Sequence, residues 1–199
     1  RGCLGGRASV LVGDGLGRLC TAQNDPWALR VRKKENFRLW APEIHFMNVT
    51  FWIPYCTSYL ERGSNAKTGT GLLKSTSGKP EGPYTDISPD GPLTDGLDAS
   101  LFKDDDGKVY FLHGGMGIAQ MKDDMSGLAE RSHELQCDSG GVGFEGISIF
   151  KHDGRYYLGS TWSELPERYY DCRVAIADEV NGPDKQLHPP TPTRGRHPR

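Results

Sequence analysis

Glu43, Asp98 and Glu145 each head a motif of the same kind: an acid, an apolar stretch, a turn and an aromatic stretch. The first runs Glu43-Ile44-His45-Phe46, then Asn48-Val49-Thr50-Phe51-Trp52. The second runs Asp98-Ala99-Ser100-Leu101-Phe102, then Asp106-Gly107-Lys108-Val109-Tyr110. The third runs Glu145-Gly146-Ile147-Ser148-Ile149-Phe150, then Asp153-Gly154-Arg155-Tyr156-Tyr157. Glu43 and Asp98 are 55 residues apart, Asp98 and Glu145 47. Carboxylates gathered in one pocket hold at least one proton more tightly than an isolated acid, because like charges resist ionising together. General acid chemistry needs that property. The competing reading makes them ordinary strand-start residues that accept from turn amides, and spacing alone leaves both open.

The elements that must position the acids follow from the same pattern. Each motif reads as a β-hairpin with an acid at its entrance. Each hairpin is followed by a further strand and a turn: Gly71 to Ser75 before Glu81-Gly82-Pro83-Tyr84, Ile118 to Met121 before Ser126-Gly127-Leu128, and Val174 to Ala177 before Asn181-Gly182-Pro183. Apolar and polar residues alternate in Ile44 to Val49, Lys108 to Leu112 and Arg155 to Gly159. The 26 glycines and 13 prolines fall between such runs, leaving room for a turn or two of helix at most, so the chain reads as all-β. A repeat of about 45 to 55 residues with three or four strands is the signature of propeller blades. The innermost strand of each blade lines the central channel, so the three acids are expected to begin three successive innermost strands and to face one depression.

Composition narrows the function classes. With 24 basic and 26 acidic residues in 199, bulk charge argues against nucleic-acid binding. No apolar run approaches the roughly 20 residues of a membrane helix, and no segment assigns a compartment. The chain opens on Arg1 rather than Met, which suggests a fragment or a processed chain. Cys3, Cys20, Cys56, Cys137 and Cys172 show no C-x-x-C pair, and they read as small, buried, mostly unpaired residues rather than zinc ligands. The six histidines lack metal-ligand spacing. Asp104-Asp105-Asp106-Gly107 reads as a hairpin turn, because Phe102 stands where an EF-hand's first ligand belongs. Neither a metal nor another cofactor is expected.

Trp40-Ala41-Pro42-Glu43-Ile44, Asp98 to Phe102 with Asp104 to Tyr110, and Phe144-Glu145-Gly146 with Phe150 to Leu158 together resemble glycoside hydrolase family 43, in order and in spacing, over residues 37 to 184. That resemblance implies a five-bladed β-propeller cleaving arabinose, xylose and sometimes galactose linkages with inversion, through an Asp base, an Asp that tunes and orients the acid, and a Glu acid. Glu145 then corresponds to the general acid and Asp98 to the orienting aspartate. Trp40 takes a place at the pocket rim, where its face can stack on a sugar, with Glu43 beside it. Trp162, after a strand end, is a further stacking candidate. The base is expected at the start of the first blade, where Arg7-Ala8 stand instead; Asp14 and Asp25 are substitutes, and Asp25-Pro26 has the right dipeptide. Residues 1–36 read as a degraded first blade, 37–186 as propeller blades, about three of them complete, and 187–199 as a disordered Pro/Arg-rich tail. The function expected is glycoside hydrolysis of an oligo- or polysaccharide, or a truncated, inactive form of such an enzyme. The alternative is a non-catalytic carbohydrate-binding propeller. A secreted or periplasmic setting accords with the family.

Overall fold

The computed structural model describes residues 39–60, 66–138, 142–164, 169–182 and 185–186, and every regular element among them is a strand. The first sheet has a split edge, β1 (Leu39–Trp40) and β2 (His45–Met47), both paired with β3 (Thr50–Leu60); β4 (Ala66–Ser75) follows, with β5 (Tyr84–Asp86) and β6 (Thr94–Asp95) on its other side. The second sheet runs in order through β7 (Ser100–Lys103), β8 (Val109–His113), β9 (Gly117–Gln120) and β10 (His133–Glu134). The third runs through β11 (Glu145–His152), β12 (Arg155–Glu164), β13 (Tyr169–Ala177) and β14 (Lys185–Gln186). All pairings are antiparallel, and each sheet begins with one of the three hairpins read from the sequence.

Local chemistry explains the hairpins. The two-residue turns Asn48-Val49 and Asp153-Gly154 have positive φ at both positions (50° and 62°, 48° and 74°), as a tight turn matching the strand twist requires. Val49 is the costly member, since a β-branched residue resists that conformation. The middle hairpin closes differently, through Asp104 N–H to the Lys108 carbonyl and Gly107 N–H to the Asp104 carbonyl.

The second sheet is packed on both faces. Leu101, Val109 and Phe111 join Trp52 and Leu72 of the first sheet in one core, whereas Phe102, Tyr110, Leu112 and Ile118 join Ile147, Leu158 and Ala175 of the third in another. Alternation along β7 and β8 therefore separates two neighbours rather than core from solvent. That is why Val109-Tyr110-Phe111-Leu112 is apolar throughout, where a strand with one wet face would alternate in polarity. The Asp104 turn adds a polar tie. Its carboxylate accepts from the Tyr156 hydroxyl at 2.6 Å and from Lys151 at 2.9 Å. Burial pushes this carboxyl up, but those two donors outweigh it and hold it below the ordinary range.

A second buried acid lies at the outer edge of the first sheet. Asp86 accepts from the Tyr55 hydroxyl at 2.5 Å and from the Ser88 N–H at 2.9 Å. Burial pushes its carboxyl from 3.8 up to about 6, against both bonds. The folded protein then holds this proton where the unfolded chain has lost it, so the stabilisation is present below pH 3.8 and is lost as pH rises through about 6. The full difference amounts to roughly 3 kcal/mol. Wild type should lose unfolding free energy between pH 4 and 6, and Asp86→Asn should flatten that fall, measured by urea denaturation across the window. An unchanged slope would show that Asp86 does not titrate there.

Candidate functional site

Asp98 is held by its own backbone before its side chain is considered. Between β6 and β7 the chain passes Gly96 at φ 137° and reaches Asp98 at φ 48°, a left-handed conformation that costs a non-glycine residue roughly 1 kcal/mol. Three hydrogen bonds fix this turn: Gly96 N–H to the Thr68 carbonyl (2.9 Å), Gly114 N–H to the Leu97 carbonyl (2.6 Å), and Asp98 N–H to Cys56 Sγ (3.3 Å). Thus held, Asp98 turns Oδ2 onto the Gly146 N–H at 3.0 Å.

Glu145 begins β11, as expected, and a bulge follows it. Glu145 pairs with Thr161 but Ser148 pairs with Gly159, so three steps on one strand oppose two on the other. Gly146 takes up the extra residue at φ 67°, a geometry that glycine adopts without a Cβ clash. The bulge frees two amides from the ladder: Gly146 N–H donates to Asp98, and Ile147 N–H to the Gly114 carbonyl at 3.3 Å. Ser160 Oγ–H holds the Glu145 carbonyl at 2.9 Å.

Glu43 and Asp98 correct one expectation, since neither begins a strand: Asp98 stands two residues before β7, and Glu43 lies in the break between β1 and β2, two residues before β2. Glu43 Oε2 accepts from His45 Nε2 and from Ser100 Oγ, both at 2.7 Å, which ties it to the first residue of β7. Burial pushes its carboxyl up; the bonds from His45 and Ser100 outweigh that and hold it below the usual carboxylate range. The structure thus brings the Glu43 carboxylate to the head of β7, and Asp98 to the bulge that Glu145 opens. Trp40 is 39% exposed and its carbonyl receives the Cys56 thiol at 3.7 Å. Asp14 and Asp25 lie outside the described residues, as do the segments 1–36 and 187–199.

A cleft of about 980 Å³ opens beside these acids, lined from all three sheets, with Gly96, His113, Ser132, Phe144 and Trp162 among its lining. Asp98 and Glu145 are not themselves in that lining; Gly96 and Phe144, two residues and one residue before them, are. Trp162 stands inside β12, not after a strand end as the sequence suggested. The Arg173 guanidinium lies over its ring at 4.1 Å, and Trp162 Nε1 and Arg173 Nε are buried without a hydrogen-bond partner among the described residues. His113 was not singled out by the sequence. Its ring occupies space that a Cβ on Gly96 or Gly117 would fill, and its Nε2 is 2.5 Å from Ser132 Oγ. Burial holds its pKa below the ordinary value, with Asp95 opposing. No spacing signal joins His113 to Ser132 or Cys56 to Asp98. Cys56 is buried, Cys137 half-buried and Cys172 exposed, so the expectation of uniformly buried cysteines fails at Cys172. No three His, Cys, Asp or Glu side chains among the described residues are grouped to hold a metal.

A sequence profile described as Glycosyl hydrolases family 43 matches residues 16–199. The chain belongs to this family. Among curated relatives of the family-43 chain, the β-D-galactofuranosidase xynD of Aspergillus niger is 33% identical over 126 residues, 58% of this chain and 36% of that protein. A xylan 1,3-β-xylosidase of a Vibrio species is 29% identical over 172 residues, 77% of this chain and 30% of that one. The chain therefore spans about a third of the length of these two relatives. A solved family-43 enzyme of Xanthomonas citri, complexed with xylotriose, superimposes with a TM-score of 0.62 at 22% identity, over 86% of this chain and 59% of that one. The fold is the all-β propeller type, and the three sheets are blades of it.

Proposed function

We propose that the family-43 chain carries an inverting glycosidase site for pentose- or furanose-containing glycans. In this reading Glu145 donates its proton to the leaving glycosidic oxygen, and Asp98 orients the strand that carries it. Asp25 is the candidate for the carboxylate that activates water, the second role inversion requires. Trp40 and Glu43 line the glycone side; Trp162 and the cleft beside Phe144 receive the leaving group. The observation that carries the reading is the Asp98 carboxylate on the Gly146 amide, 3.0 Å apart, inside the bulge that begins with Glu145. Bulges beside active sites re-aim side chains, and this one is locked by the second acid. The names of the relatives, xylosidase and galactofuranosidase among them, support the substrate class.

The test uses aryl α-L-arabinofuranoside, β-D-xyloside and β-D-galactofuranoside, with the anomeric proton followed by NMR. At least one substrate should be hydrolysed with the inverted anomer appearing first. Asp25→Ala should abolish that turnover, and azide should restore it by replacing the activated water. Retention of configuration would overturn the reading. Binding of xylo-oligosaccharides without cleavage would favour the non-catalytic propeller instead.

A further inference from the structure

We infer that Cys56 is a positioning residue: its thiol, wedged between the first and second blades, fixes the Asp98 carboxylate on the Gly146 amide. Its catalytic consequence rests on the reading of Asp98 and Glu145 given above; the positioning itself does not. Cys56 is fully buried in β3 and pairs directly across the ladder with Trp40. Its sulfur accepts the Asp98 N–H at 3.3 Å, and its S–H points to the Trp40 carbonyl at 3.7 Å. One atom therefore joins the segment carrying the rim tryptophan to the left-handed turn carrying Asp98, and Asp98 Oδ2 extends the connection to Gly146 at 3.0 Å. The chain of contacts crosses all three blades.

The wedge is needed because the turn is strained. Asp98 at φ 48° returns to an extended conformation once the bond holding its N–H is gone, and a change in φ at this residue swings its carboxylate away from the bulge. The thiol suits the task as a small group with a weak donor and a weak acceptor. It is also inert: burial, with the Asp98 charge adding to it and the backbone bonds opposing, pushes it up to about 11, so it stays protonated and keeps both roles. Cys56→Ala removes both roles and leaves a small gap, Cys56→Val removes both and adds one carbon; Cys56→Ser preserves both roles.

The test is amide hydrogen exchange on the 199-residue chain. Gly146 N–H should exchange about tenfold faster in Cys56→Val and Cys56→Ala, while Met121 N–H, bonded to the Val109 carbonyl in the second blade, stays within twofold. Cys56→Ser should restore Gly146 to within about threefold of wild type. Unchanged Gly146 exchange in the Val and Ala variants, or no recovery in the Ser variant, overturns the inference. Should the Val and Ala variants fail to fold, wild type decides: Asp98 and Gly146 amides that open as one unit exchange at matching rates, and rates differing by more than tenfold overturn it. On aryl glycosides, the Val variant should lose kcat with KM unchanged. A freed Gly146 amide with kcat intact supports the positioning and overturns the catalytic role of Asp98.

Discussion

Glu145→Gln should reduce hydrolysis of glycosides with alkyl or sugar leaving groups by about a thousandfold, within the 10² to 10⁴ range attributed to a positioned general acid. The amide keeps the size and hydrogen-bonding reach of the carboxyl but has no proton to give. Substrates with a dinitrophenyl leaving group, which departs without protonation, should lose far less, and this contrast separates a lost acid from a misfolded site. The backbone around position 145 should be undisturbed, since the bulge is held by the Gly146 and Ile147 amides and the Glu145 carbonyl rather than by the carboxyl. Parallel initial-rate measurements on an alkyl xyloside and a dinitrophenyl xyloside provide the check. Equal losses on both would remove Glu145 from the acid role.

The largest effect on stability is expected at Gly115. A Cβ there would overlap the Gly143 carbonyl and the Phe144 Cα, which are backbone atoms, so no side-chain rotation relieves the clash. Gly115→Ala should cost about 3 kcal/mol, at the upper end of overpacking substitutions, and lower Tm by roughly 6 to 12 °C. The displaced segment leads directly into Glu145, so activity should fall along with stability. Gly91→Ala is the control: nothing lies within 4 Å of its Cβ position, and its unfolding free energy should stay within about 0.5 kcal/mol of wild type. Differential scanning calorimetry of the two variants checks both. A Gly115→Ala protein as stable as the control would mean that the two blades are not in contact at this point.

The acid-hairpin-aromatic pattern reported the fold because a blade is a local object. Each hairpin is closed by residues adjacent in sequence, such as Asn48-Val49 and Asp153-Gly154, and their conformational preferences are readable one turn at a time. Blade stacking was not legible. It was missed at Lys108 to Leu112, read as alternating, where Val109 to Leu112 is in fact an unbroken apolar run buried on both faces. Glu145 was legible as a strand-entrance acid for the same local reason, whereas Asp98 lies two residues before β7. Glu43 was misplaced by two residues because Pro42, which breaks the edge between β1 and β2, was not read as a strand breaker.

Only the tertiary structure decided how the acids are held. The bonds from Asp98 to Gly146, from Ser100 to Glu43 and from Asp98 to Cys56 join residues 48, 57 and 42 positions apart. Such contacts depend on how one blade is rotated against the next, and that rotation is set by the summed packing of the two inter-blade cores rather than by any short motif. The pairing of His113 with Ser132 and the stacking of Arg173 on Trp162 belong to the same class. A strand's sequence specifies which side chains leave each face; where those side chains arrive is fixed only when the neighbouring sheet has docked.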